Sequence, residues 1–186
     1  MYKDTKEYCQ TCNVCQRIGK PSRWDEMPLA PQVTMRPFDK WVIDFVGLIN
    51  PTAKKFGARY ITATEYLTRW SEAKAVKDYS ARTATQFIFK NIITQFGCPR
   101  ILMSNQGSHF LNKTIEALVE EFKVHHQKIT PYHLQANGTI EAFNKIQGHA
   151  LTKVCNENRD DWDLRIPVVL WAYRTTCKKL IGNTPF

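Results

Sequence analysis

Residues 41–49 read WVIDFVGLI, and this run decides the fold. It is a nearly continuous series of β-branched and aromatic residues, the composition of a buried central strand. Working outward, RYITATEYL (59–67) and SEAKAVK (71–77) follow at short spacing, which predicts an antiparallel meander. The period then lengthens. In SARTATQFIFKNIITQFG (80–97), Ala84, Phe87, Ile88, Ile92 and Phe96 share one helical face. Ser80 is the expected N-cap and Gly97 the expected C-cap, and Pro99 bars continuation. The strand PRILMS comes next, then a helix through Ile115, Leu118, Val119 and Phe122, then a short strand within KVHHQKI. TPYHLQANG reads as a polar loop, and a long helix is expected from near Gly138, turning Ile140, Phe143, Leu151 and Val154 inward. A last helix follows Asp160 and Asp161, with Pro167 kinking it or setting a later start. The order β-β-β-α-β-α-β-α-α defines an α/β domain: one mixed sheet with helices on its faces.

Residues 1–37 differ in character. They are polar, carry Pro21, Pro28, Pro31 and Pro37, and show no sustained periodicity, so they read as a short cysteine-bearing tail and an extended linker. Residues 38–186 form the domain. With 43% hydrophobic and 12% aromatic residues, a chain of 186 residues can build a sizeable core. Twenty-six Lys and Arg against 17 acids leave a net charge of +9, which favours a polyanionic partner such as DNA or RNA. No apolar run approaches the ~18–20 residues that cross a bilayer, and MYKDTKEYCQ is no signal peptide. A place inside the cell, without membrane association, is therefore expected. The abrupt GNTPF end reads as a cut within something longer.

Three positions could carry chemistry. Asp44 interrupts an otherwise apolar strand, where a charge is costly unless paired or bound to a metal. The plain alternative is an acid that caps a loop or pairs with an arginine. Glu141 lies near the start of the long helix, where the helix dipole alone would favour it. Asn105 follows a strand and precedes Gly107, as an ordinary turn residue does.

Spacing changes this reading. Asn105 and Glu141 have 35 residues between them, flanked by SNQGSHFLN and PYHLQANGTIEAFNK. Together with WVIDFVGL, FGCPRILMS, WAYRTT and CQTCNVCQ, the chain resembles the catalytic core of integrases from retroviruses and gypsy-class LTR retrotransposons. Their signature is Asp, a second Asp, 35 residues and Glu. The resemblance implies an RNase H-like fold with a five-stranded mixed sheet. It implies Asp44, position 105 and Glu141 as ligands of two Mg²⁺ (or Mn²⁺) ions. The implied chemistry is end processing and strand transfer of DNA by in-line phosphoryl transfer.

The chain departs from that pattern at Asn105, where the family has Asp. The side chains are nearly isosteric, but an amide oxygen carries no formal charge. Metal binding should weaken and strand transfer should be crippled. Leu134 stands where the family motif PYHPQANG has proline. Asp→Asn and Pro→Leu are each one C-to-T change away on one DNA strand or the other, which suggests a decaying element copy. By resemblance Lys145 touches phosphate near the reacting DNA end, and Gln135, Asn137 and Asn144 reach backbone or base edges. Their plain alternatives are a solvated helix lysine and turn-forming residues. His109 is expected to stabilise its turn rather than react. Cys12 and Cys15 have zinc-ligand spacing, but no histidine precedes them, so Zn²⁺ is expected only if an upstream His pair is supplied.

The leading expectation is a retroelement integrase core, impaired at position 105, that acts on element ends and target DNA in the nucleus as a homo-oligomer. The alternative is a non-catalytic DNA-binding or assembly module on the same fold. An RNase H-type nuclease fits the 35-residue spacing and the cysteine tail less well.

Overall fold

The computed structural model describes residues 2–12, 36–129, 134–155, 160–179 and 181–186, and for 134–143 the course of the helix. The chain divides into two units, Met1–Gln32 and Val33–Phe186. In the first unit, a helix, α1, spans Tyr2–Thr11. The lack of sustained apolar periodicity in residues 1–37 gave no sign of this helix. The segment is polar all round but rich in Lys, Glu and Gln, good helix formers, and Asp4 sits in its first turn. Cys12 directly follows α1, and Cys15 lies outside the described residues.

The second unit is built on a sheet of order β3-β2-β1-β4-β5. Its strands are β1 (Lys40–Val46), β2 (Arg59–Glu65), β3 (Ser71–Val76), β4 (Ile101–Ser104) and β5 (His125–Lys128). The meander is antiparallel, as the short connections dictate, whereas β4 and β5, each reached through a helix, run parallel to β1. A buried acid shapes one meander turn: Glu65, fully buried, accepts from the Leu67 and Thr68 backbone N–H groups at 3.0 and 2.6 Å.

Helix α2 begins over Ala81–Phe87, passes through a π-helical turn at Ile88–Ile93 and closes with Thr94–Phe96. Ser80 caps it, its hydroxyl accepting from the Thr83 N–H at 3.2 Å, and Gly97 ends it at φ 85°. Helix α3 spans Lys113–Glu121, capped by the Asn112 side chain. Strand alternation sends Trp41 and Ile43 of β1 into a core with Phe87, Ile88, Ile92 and Ile115, so α2 and α3 cover that face.

The opposite face is covered by α4 (Leu134–Val154) and α5 (Trp162–Thr175). Leu151, Trp162, Ile166, Val169 and Leu170 pack there on Tyr60 and Ala75. Two expectations change. Helix α4 starts at Leu134 rather than near Gly138, because Leu134, Gln135 and Ala136 are helix formers and Pro131 stops helix only before them. Helix α5 runs unbroken through Pro167, whose missing N–H would have met the Asp163 carbonyl in the first turn. Val154, expected inward, is exposed. Arg174 of the WAYRTT motif ties α5 to β3: its guanidinium donates to the Ser71 carbonyl and the Glu72 carboxylate and lies 4.2 Å from the Trp70 ring centre.

Candidate active site

The register of the parallel pair creates the site. Ile43 of β1 lies opposite Ser104 of β4, so the next residues, Asp44 and Asn105, stand side by side at the carboxyl ends of neighbouring strands. The Asn105 amide nitrogen donates to Asp44 Oδ1 at 3.0 Å. The Asn105 oxygen is turned away and accepts from the Gly107 N–H at 2.9 Å. These two bonds fix the amide orientation, since a flipped amide would set oxygen against carboxylate and N–H against N–H. Asp44 Oδ1 also accepts from the Phe45 N–H at 2.9 Å.

From the helical face, the Asn144 amide of α4 donates to Asp44 Oδ2 at 3.1 Å. Asp44 is thus clasped between two amides. Burial pushes its pKa up to about 6, although the Phe45 N–H and the Asn144 amide both favour the charged form. The Asn144 N–H₂ group serves Asp44, and its buried Oδ1 has no partner among the described residues. Its position three residues after Glu141, on the same helical face, was the sequence signal for this role.

His109 lies in the turn after β4. Its ring packs edge-on against Phe45 at 4.8 Å and against Phe110 at 4.4 Å, and burial lowers its pKa. Gly107 makes that approach possible, because a Cβ there would strike the His109 imidazole and come within 3.0 Å of Asn105 Oδ1. Lys145 is exposed on α4, next to Asn144. The side chains of Glu141, Gln135 and Asn137 lie outside the described part of α4, and the last two occupy helix rather than loop.

The donor set tests the expected metals. Among the described residues, the site offers one carboxylate, and the neighbouring amide presents its N–H to that carboxylate rather than its oxygen to a cation. Divalent cations of the Mg²⁺ type need anionic or neutral oxygen ligands. Among the described residues this arrangement offers such a cation a single anionic ligand, Asp44. Among the described residues no group of three or more His, Cys, Asp or Glu could hold a metal ion, at the cysteine tail or elsewhere.

Known proteins share the architecture. The chain superposes with the catalytic core domain of BIV integrase at a TM-score of 0.64 and 19% identity, covering 80% of this chain and 91% of that one. It also superposes with a chain of the simian T-cell lymphotropic virus intasome in complex with PP2A regulatory subunit B56 gamma, at a TM-score of 0.73 and 16% identity, covering 100% and 65%. The five-stranded mixed sheet with flanking helices is therefore an RNase H-like α/β fold. Residues 35–133 match the family model of the integrase core domain, and the chain belongs to that family.

Curated relatives extend the match along the chain. The Pro-Pol polyprotein of feline foamy virus is 26% identical over 157 residues, 83% of this chain and 13% of the polyprotein. The Gag-Pol polyprotein of koala retrovirus is 27% identical over 183 residues, 97% of the chain and 11% of the polyprotein. The retrovirus-related Pol polyprotein from transposon 412 of Drosophila melanogaster is 24% identical over 186 residues, 100% of the chain and 15% of the polyprotein. The chain spans 11–15% of the length of these polyproteins.

Proposed function

We propose that this chain is the core of a retroelement integrase, of gypsy-class LTR-retrotransposon type, whose polynucleotidyl-transfer site is impaired by Asn105. Membership of the integrase core family supports DNA integration as the ancestral activity. The observation that carries the impairment is the Asn105 amide donating to Asp44 at 3.0 Å. For Asn105 to offer a cation its oxygen, the amide would have to turn over, breaking its bonds to both Asp44 and the Gly107 N–H. Integrase-core proteins generally use divalent metals. Here Asp44, Glu141 and Asp rather than Asn at position 105 would form the acidic set.

In this reading Lys145, Gln135 and Asn137 face DNA from α4, while Asn144 positions Asp44. The net charge of +9 suits a phosphate backbone, and binding should weaken steeply with salt. Leu164, Val168 and Trp171, exposed at helical spacing on α5, suit a contact between copies of the chain. The protein would act on element ends and target DNA in the nucleus. Residues 1–37, with Cys12 and Cys15, would be the remnant of a zinc module and its linker. A non-catalytic DNA-binding role is the second reading, favoured by the same amide clasp, which holds Asp44 without a cation.

Joining of labelled DNA ends with Mg²⁺ or Mn²⁺ tests the proposal, with the chain and its Asn105→Asp form assayed side by side and metal binding measured by calorimetry. Gain of joining and of metal affinity in Asn105→Asp is expected. Robust joining by the unaltered chain, unimproved by the substitution, refutes impairment. Neither joining nor metal binding in either form favours the non-catalytic reading.

A further inference from the structure

Strand β2 begins at Arg59, on the side of β1 away from β4 and Asn105. The Arg59 side chain lies against Gly47, three residues beyond Asp44, where a Cβ would come within 2.8 Å of its Cγ. That glycine lets the guanidinium reach Tyr79, whose ring centre is 4.4 Å from the guanidinium carbon. The Tyr79 ring is held in turn. It meets Phe45 edge-on, with centroids 6.4 Å apart, and His109 likewise at 5.8 Å. Phe45 follows Asp44 directly, and His109 lies in the turn after Asn105. One aromatic cluster therefore fixes the guanidinium relative to both positions of the candidate site.

The pair is open to solvent: Tyr79 is 49% exposed and Arg59 partly so. Among the described residues no carboxylate or carbonyl accepts a hydrogen bond from the Arg59 guanidinium. Asp78, beside Tyr79 in the sequence, is turned to the α2 cap. Its Oδ1 accepts from the Ser80 N–H at 2.9 Å and from the Thr83 hydroxyl at 2.7 Å. Lys77 and Arg82, both exposed, flank Tyr79 in the sequence and add to the positive field. A guanidinium stacked on a ring keeps its planar fork ready, and its unused donors match the paired oxygens of a phosphate.

Thr62 faces Asp44 across the ladder, so Arg59 lies three residues, about 10 Å, away along β2. About three nucleotide steps of one DNA strand cover that distance. The Asn144 amide reaches Asp44 from the α4 face, whereas the Phe45 ring belongs to the α2 face. A strand crossing Asp44 would thus meet α4 on one face and the Arg59 fork on the other. We propose that the Arg59 guanidinium, held by Tyr79, binds a backbone phosphate of DNA beside Asp44. The inference rests on the nucleic-acid reading above and needs neither metal nor catalysis.

The test titrates the full chain, in chelator, with short fluorescent DNA duplexes of unrelated sequence at about 50–200 mM salt. Arg59→Gln should weaken binding severalfold at the lowest salt, equally for every sequence. It should also reduce the slope of log affinity against log salt by about 0.9, the share of one phosphate. Lys90→Gln removes the same charge about 15 Å along α2 from Ser80 and should change neither quantity. Tyr79→Leu leaves the guanidinium charged but unheld, so binding should weaken while the slope stays. Unchanged affinity and slope in Arg59→Gln overturn the proposal and leave the nucleic-acid reading intact. An equal loss in Lys90→Gln overturns it in favour of diffuse charge, and a sequence-dependent loss overturns phosphate as the ligand. If the unaltered chain binds no duplex, the nucleic-acid reading itself fails, and the proposal with it. Should Arg59→Gln fold poorly, Arg59→Lys reads the same contact: it keeps the slope but should lose affinity with the fork, and binding as tight as that of the unaltered chain overturns the proposal.

Discussion

Replacing Asp44 by asparagine is expected to stabilise the metal-free domain at neutral pH. In the folded chain the Asp44 carboxyl titrates at about 6, against 3.8 in an ordinary setting, and burial is the main cause. Each pKa unit is worth about 1.4 kcal/mol, so the shift of about two units amounts to roughly 3 kcal/mol as an upper bound. The sign follows from the direction. Folding favours the protonated acid, so this contribution is fully present below about pH 4 and is lost as pH rises through about 6. Asparagine at position 44 carries no charge at any of these values. The hydrogen bonds can survive the change, since the new oxygen can accept from Phe45 and Asn105. The new N–H₂ would meet the Asn144 amide, which need only turn over to present Oδ1, an atom now without a partner. The assay is urea unfolding of both forms from about pH 4 to pH 7.5, with chelator present. The stability difference should grow by up to roughly 3 kcal/mol across that range. Two curves that stay parallel from end to end refute the reasoning.

Further substitutions test the supports of the site. Gly107→Ala should destabilise the domain by about 1–3 kcal/mol, since its Cβ meets the His109 ring and the Asn105 oxygen; thermal unfolding and the His109 ring resonances report it. Arg174→Ala should destabilise by about 3–5 kcal/mol, because it strands the Glu72 carboxylate and frees the Ser71 carbonyl; Arg174→Ala combined with Glu72→Gln should recover part of that loss in urea unfolding. Asn144→Ala removes one amide from Asp44 and should raise the Asp44 pKa above about 6, as read by carboxyl NMR titration.

The fold was largely legible because its signals are local. The apolar run around Asp44, the meander spacing and the caps at Ser80 and Gly97 each depend on neighbouring residues alone. The start of α4 is less legible, because the polar composition of TPYHLQANG conceals the helix propensity of Leu134, Gln135 and Ala136. The continuity of α5 across Pro167 depends on burial of Ile166, Val169 and Leu170 against another element, which outweighs one lost hydrogen bond. The pairing of Asp44 with position 105 came from resemblance rather than from periodicity. The Asn144–Asp44 bond and the Arg174 tie join residues 100 and 102 positions apart and the Asn105–Asp44 bond residues 61 apart, so their geometry is set by the tertiary fold rather than by any local pattern.

The clasp explains how Asn105 is tolerated in the fold and, in the proposed reading, how it would harm the chemistry. With Asp at position 105, a second carboxylate oxygen would stand about 3.0 Å from Asp44 Oδ1, where the amide N–H now sits. Like charges that close raise the apparent pKa values of the pair and destabilise the metal-free site until a cation neutralises them. Asn105 replaces this repulsion with a hydrogen bond, so the resting site no longer needs a cation. Asn105→Asp should therefore lower the melting temperature in chelator. Added Mg²⁺ or Mn²⁺ should then raise it with the concentration dependence of a ligand that binds the folded state alone. The unaltered chain should respond much less. If both forms melt alike in chelator and respond equally to the cation, Asn105 exerts no electrostatic control over the site, and the case for impairment loses its physical basis.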